Sequence, residues 1–184
     1  MDEKISFILS AINDAQATIR ATDVKVGALL AGLFLPVSYI GAIWDYALSD
    51  YTPRLLLIMI CILFILWATS ISILVKTISA VGNPAKNISG EEYSNGSFYG
   101  GELYKFTFKH ALLNLNKNKS SMSVQLFYNT YPSSQVDICL ALSFEHMKLI
   151  YIRDIKLYRL DLALKTTVVF LLLGIETYIL SKII

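Results

Sequence analysis

The sequence predicts a mostly α-helical integral membrane protein: three transmembrane helices, arranged as a hairpin plus a C-terminal helix, with a small helical cytosolic segment. Three observations carry this expectation. Leu55 to Val75 is a run of 21 residues without a charge, and the hydrocarbon core of a bilayer takes about 20 such residues as helix. Of the 184 residues, 55% are hydrophobic and the mean hydropathy is +0.55, above the apolar share of a soluble domain. Lys and Arg are also spread unevenly over the segments that flank the apolar runs.

Taken in order, residues 1–25 are expected to form an amphipathic cytosolic helix. Ile5, Ile8, Ile12, Ala15 and Ile19 recur at three- and four-residue steps, which puts them on one face. This stretch is too polar for a cleavable signal peptide, so the first membrane helix is expected to act as its own insertion signal. Residues 26–48 form the first span, interrupted by Pro36 with a kink expected there, and carrying Asp45 near the far end. Only Ser49 to Arg54 separates it from the second span, residues 55–75, so the two form an antiparallel hairpin. Lipid offers backbone groups no partner, which makes the second run helical.

Residues 76–165 form the cytosolic sensing segment. Val81 to Gly96 is rich in breakers and reads as loop. Ser97-Phe98-Tyr99-Gly100-Gly101 is a compact aromatic-glycine turn. Thr107 to Leu115 fits a short helix, while the alternation of Tyr104, Phe106 and Phe108 also permits a strand. Asn116 to Ser121 is polar and expected to be exposed. Pro132-Ser133-Ser134 looks like a helix start with Ser at the cap. From Gln135 to Ile184 the sequence reads as one long helix or two collinear ones, roughly 75 Å at 1.5 Å per residue. Its end, residues 166–184, is the third span, with Glu176 inside it and Lys182 near its close.

The charge asymmetry orients these segments. Three Lys or Arg precede the first span (Lys4, Arg20, Lys25), Arg54 alone lies in the hairpin loop, and eleven fall between Lys76 and Lys165. The N-terminus and residues 76–165 are therefore expected on the cytosolic side. In the cytosolic half of the long helix, Glu145, Lys148, Lys156 and Arg159 share one narrow arc and most of the rest is apolar. Such a helix needs cover from the N-terminal helix, from residues 98–130 or from neighbouring subunits.

Several chemistries find no support. A net charge of +2 gives no field for a nucleic acid polymer. Two cysteines, Cys61 and Cys139, form neither a disulfide framework nor a metal spacing. The two histidines, His110 and His146, sit in no metal-binding pattern, and no nucleophile elbow, Walker loop or dinucleotide fingerprint occurs. No catalytic residue, metal site or resident cofactor is expected, and the chain is not expected to be an enzyme.

Other residues do attract a role. Glu176 lines either a subunit contact or a water path, or else hydrogen-bonds Tyr39, Ser38 or another polar neighbour, or sits near the outer headgroups. Asp45 lies near a membrane surface. Lys148, Lys156, Arg159 and Lys165 form a basic column. It suits anionic lipid headgroups or a small anion, with Tyr104 or Tyr151 to stack on a base. Asp23 and Lys25 sit together just before the first span, where interface anchors are usual.

In order along almost the whole chain come Ala21-Thr22-Asp23-x-Lys25 with Leu29-Leu30, the two-helix hairpin, Ser97-Phe98-Tyr99-Gly100, and Lys156-x-x-x-Leu160-x-x-Ala163 before a last span. This arrangement resembles the transmembrane effectors of bacterial Pycsar anti-phage systems, with Val26 following the Asp-x-Lys element and Gly101 following the turn. The resemblance implies an effector in the bacterial inner membrane. Such an effector responds to a cyclic pyrimidine mononucleotide, cUMP or cCMP, from an adjacent cyclase. It compromises the membrane, and the cell dies by abortive infection. A homo-oligomer is expected separately, from the apolar surface of residues 135–165 and from Glu176. The ligand-binding candidates are Lys156, Arg159, Lys105 and Lys109 for the phosphate and Phe98 or Tyr99 for stacking. Glu176, Asp23 and Lys25 are the candidates for membrane or oligomer function. The alternative is a non-catalytic scaffold or accessory subunit of a membrane complex.

Overall fold

A computed structural model of the chain describes residues 2–47, 53–82, 84–89, 103–104 and 119–183. These residues are helical or irregular, with no strand among them. In chain order the elements are α1 (Asp2–Phe34), a 3-10 helix (Leu35–Tyr39), α2 (Ile40–Ala47), α3 (Arg54–Ile78), a second 3-10 helix (Pro84–Asn87), α4 (Val124–Tyr128) and α5 (Gln135–Ile183). Three stretches are helical, long and apolar enough to cross a membrane: Glu3–Tyr39, Arg54–Ile78 and Gln135–Ile183. The chain forms two compact units, Met1–Ala15 with Asn83–Tyr151, and Gln16–Gly82 with Ile152–Ile184.

The expected N-terminal helix runs straight into the start of the first span, since α1 is unbroken from Asp2 to Phe34. Pro36 ends it. Its ring clashes with the carbonyl four residues back and it has no N–H to donate, so the expected kink takes the form of a five-residue 3-10 turn before α2. At this change of helix type, the Leu33 carbonyl accepts a hydrogen bond from Trp67 Nε1 on α3 at 2.7 Å. Trp67 thus satisfies a backbone group at the end of α1.

In the second unit, α3 and the latter part of α5 run antiparallel in a fixed register. The Arg159 guanidinium reaches the Lys76 carbonyl at 2.8 Å. The Ser70 hydroxyl donates to Thr166 Oγ1 at 2.9 Å. Gly174 lies against Leu63. The core between these helices and α1 is Val26, Leu33, Leu74, Leu160 and Ala163. The packed face of α5 is Leu160, Ala163, Thr167, Phe170, Gly174 and Thr177, with Phe170 and Gly174 half-buried and the rest buried, a strict alternation of three- and four-residue steps whose small members allow close helix approach.

In the first unit, α5 begins as the sequence predicts. The Ser134 hydroxyl accepts the Asp137 N–H at 3.1 Å and donates to the Asp137 carboxylate at 2.6 Å, the reciprocal cap that satisfies an orphan donor. Ala85, Ile88 and Phe144 form a small apolar cluster, and Ile8, Ile12 and Ala15 of α1 are buried. Two features differ from the simple expectation. Nothing in the residue pattern announces α4, whose five residues are too few to display a helical period. The charged arc of α5 is also not its wet side: Glu145 and Lys156 are buried, while Leu140, Met147, Leu157 and Tyr158 are exposed.

Candidate functional site

The helices of the second unit meet at a charged band at the end of α3. Lys156, one turn before the apolar core, is 7% exposed in its side chain and pairs with Asp23 of α1 at 2.5 Å; the Asp23 side chain is 39% exposed. Two candidates chosen for separate reasons, one for an anion and one for the membrane boundary, are therefore each other's partner. Thr22 beside Asp23 is buried and turns its hydroxyl back to the Thr18 carbonyl at 2.8 Å. Arg159, three residues on from Lys156, holds the Lys76 carbonyl in the last turn of α3. A cation at that end also answers the negative pole of the helix dipole. The long helix is thus tied to α1 by an ion pair and to α3 by a charged hydrogen bond, one turn apart.

The remaining members of the basic column are paired too. Lys165 contacts Asp161 at 2.6 Å, which raises its pKa above the ordinary lysine value through the hydrogen bond and the charge of that carboxylate. In the first unit Lys148 is ion-paired with Glu145, and its ammonium lies 5.1 Å from the centre of the Phe144 ring. The Glu145 side chain is 1% exposed, and its Oε2 has no hydrogen-bond partner among the described residues. Burial raises its pKa above the usual 4.5, and Lys148 partly offsets that.

Lys25 is exposed, without an ion-pair partner among the described residues. Asp45 and Glu176 are exposed on their helices, and Glu176 hydrogen-bonds neither Tyr39 nor Ser38. Phe98, Tyr99, Lys105 and Lys109 lie outside the described residues, as does the choice of helix or strand for residues 107–115. Tyr104 is exposed and Tyr151 half-buried. Among the described residues no cluster of three or more metal-binding side chains occurs.

Sequence reasoning passed over three contributors. Glu145 was visible on the charged arc, but its burial was not. Asp161 could have been found from its four-residue spacing to Lys165. The Ser70–Thr166 bond, joining residues 96 positions apart, has no local signal. No family model matches the chain, and no curated protein or solved structure is similar to it.

Proposed function

We propose that the chain is a signal-gated membrane effector: it spans the bacterial inner membrane three times, senses a cyclic pyrimidine mononucleotide, and disrupts the membrane as an oligomer in response to infection. The membrane part is supported by the three long apolar helices and by the Lys and Arg asymmetry, which favours a cytosolic side for residues 76–165. The nucleotide and defence part is supported by the resemblance to the Pycsar transmembrane effectors.

The observation that carries the mechanism is the charged band at the end of α3. Lys156–Asp23 and Arg159–Lys76 fasten α5 to α1 and α3 with cations, and a ligand phosphate competes for cations. A phosphate that engages Lys156 or Arg159 takes it from Asp23 or from the α3 terminus, which frees the long helix to change its packing. A ligand shifts such an equilibrium only by its difference in affinity for the two arrangements. Contacts that break in one arrangement and are replaced by the ligand in the other provide that difference.

Calorimetric titration of the purified protein with cUMP and cCMP tests the proposal. A charge-assisted hydrogen bond is worth about 1.5–3 kcal/mol, so Lys156→Ala or Arg159→Ala is expected to weaken binding about ten- to a hundredfold. If neither nucleotide binds the parent protein, the sensing role fails. If binding survives both substitutions unchanged, the ligand sits elsewhere.

A further inference from the structure

The face of α5 opposite its packed stripe carries a second, equally regular stripe. Lys165, Val169, Leu172, Glu176, Ile179 and Ile183 recur at steps of four and three residues, and all are exposed. Two positions along a helix differ by about 200°, so Glu176 points almost directly away from Gly174 and the α3 contact. The register fixes its level. With Lys76 beside Arg159 and Ser70 beside Thr166, Arg54 is level with Lys182 and Cys61 with Glu176. Glu176 therefore lies six residues, about 9 Å, inward from the Arg54 and Lys182 level.

A carboxylate at that depth is costly to turn toward lipid, so such groups almost always face protein or a water-filled cavity. Among the described residues Glu176 has no hydrogen-bond or ion-pair partner, and the Lys182 ammonium rests over the Tyr178 ring, 5.8 Å from the centre. Another exposed stripe, through Leu171, Ile175 and Tyr178, flanks this one, but it holds no carboxylate in the span and lipid can cover it. The stripe through Glu176 is the one that requires protein.

We infer that this stripe is the seam of a parallel α5–α5 contact between two copies of the chain, with the two Glu176 carboxyl groups hydrogen-bonded across it. Copies inserted with one orientation share one depth, so a stripe covered by its own counterpart sets Glu176 opposite Glu176. A carboxylic acid and a carboxylate complement each other by sharing a proton, with no cation needed. The alternating steps of three and four residues are those that keep two helices in register along a left-handed seam. The inference deepens the proposed function by naming the face through which the oligomer forms. It rests on the membrane-spanning part of that function but not on the nucleotide.

Single cysteines placed in the full chain, with Cys61→Ser and Cys139→Ala as background, test it in native membranes under mild oxidation and without added nucleotide. Leu172→Cys and Ile179→Cys are expected to give disulfide-linked dimers, and Leu171→Cys and Ile175→Cys are not. Adding Glu176→Leu is expected to cut the Leu172→Cys dimer yield about tenfold, the equivalent of one interhelical polar contact in lipid, while Glu176→Gln retains it. Equal cross-linking from both stripes, cross-linking from the flanking stripe alone, or none at all overturns the seam. An undiminished yield in Glu176→Leu overturns the role of the carboxyl pair. Because no nucleotide is present, failure of cUMP and cCMP to bind would leave these results standing.

Discussion

Lys156 and Asp23 share one ion pair in two different environments. The ammonium is 7% exposed and the carboxylate 39%, so the pair is asymmetric in what it leaves behind when cut. Asp23→Ala strands a buried ammonium and is expected to cost about 2–3 kcal/mol, whereas Lys156→Met leaves a carboxylate that water can reach and costs about 1 kcal/mol. Thermal unfolding of both variants and the double variant in detergent checks the order. Equal losses would mean that the two groups are equally buried. Glu145 responds to pH in the opposite sense to a typical salt-bridged acid. Its pKa is raised on folding by burial, so its contribution to stability is fully present below pH 4.5 and is lost as the pH rises through the raised value. Glu145→Gln is therefore expected to melt higher than the parent at pH 7 to 8 and alongside it near pH 4, as followed by melting across that range. The sequence made some of these pairings legible: Glu145–Lys148 and Asp161–Lys165 follow from helical spacing. Lys156 and Asp23 were each conspicuous, yet 133 positions apart no local pattern joins them.

Among the elements, the two longest were readable because their causes are local. The Ser134 cap and the lack of a breaker before Gly174 announce α5, and the apolar steps from Ile5 to Ile19 announce the start of α1. Pro36 marks where α1 stops, but whether a proline yields a kink or a 3-10 turn depends on a partner such as Trp67, 34 positions away from Leu33. The close packing of α5 was not readable at all. Ala163 stands out in sequence only through its spacing from Lys156 and Leu160, and nothing there shows that it is fully buried against Val26, Leu33 and Leu74. Ala163→Leu is expected to overpack this contact and destabilise by about 1–3 kcal/mol, whereas Leu164→Ala, on an exposed position of the same helix, is expected to change stability by less than about 0.5 kcal/mol. Chemical unfolding in detergent separates the two; a tolerated leucine at 163 would mean the helices have room to spare.

For the whole molecule, length and apolarity alone located the three long helices, because a charge-free run of 21 residues has few other places to go. Their register was invisible, since it is set by pairs such as Ser70–Thr166 and Arg159–Lys76. The orientation predicted from Lys and Arg is open to direct measurement: a reporter active only in the cytosol, fused after Ser120, is expected to be active, and one fused after Ile184 silent. The reverse pattern would invert the chain. The register has one more consequence. Arg54 and Lys182 mark one level and Lys76 and Arg159 the other, and 21 uncharged residues of α3 lie between, about 31 Å of helix. That nearly equals the hydrocarbon thickness of an ordinary bilayer, about 30 Å. A thinner bilayer is met by tilting, kinking or local thickening of the lipid, and a tilt of α3 relative to α5 would strain the Arg159 contact at its end. On the proposed function, acyl-chain length would then act on the same fastening as the ligand, so that the surrounding lipid would tune how readily α5 lets go.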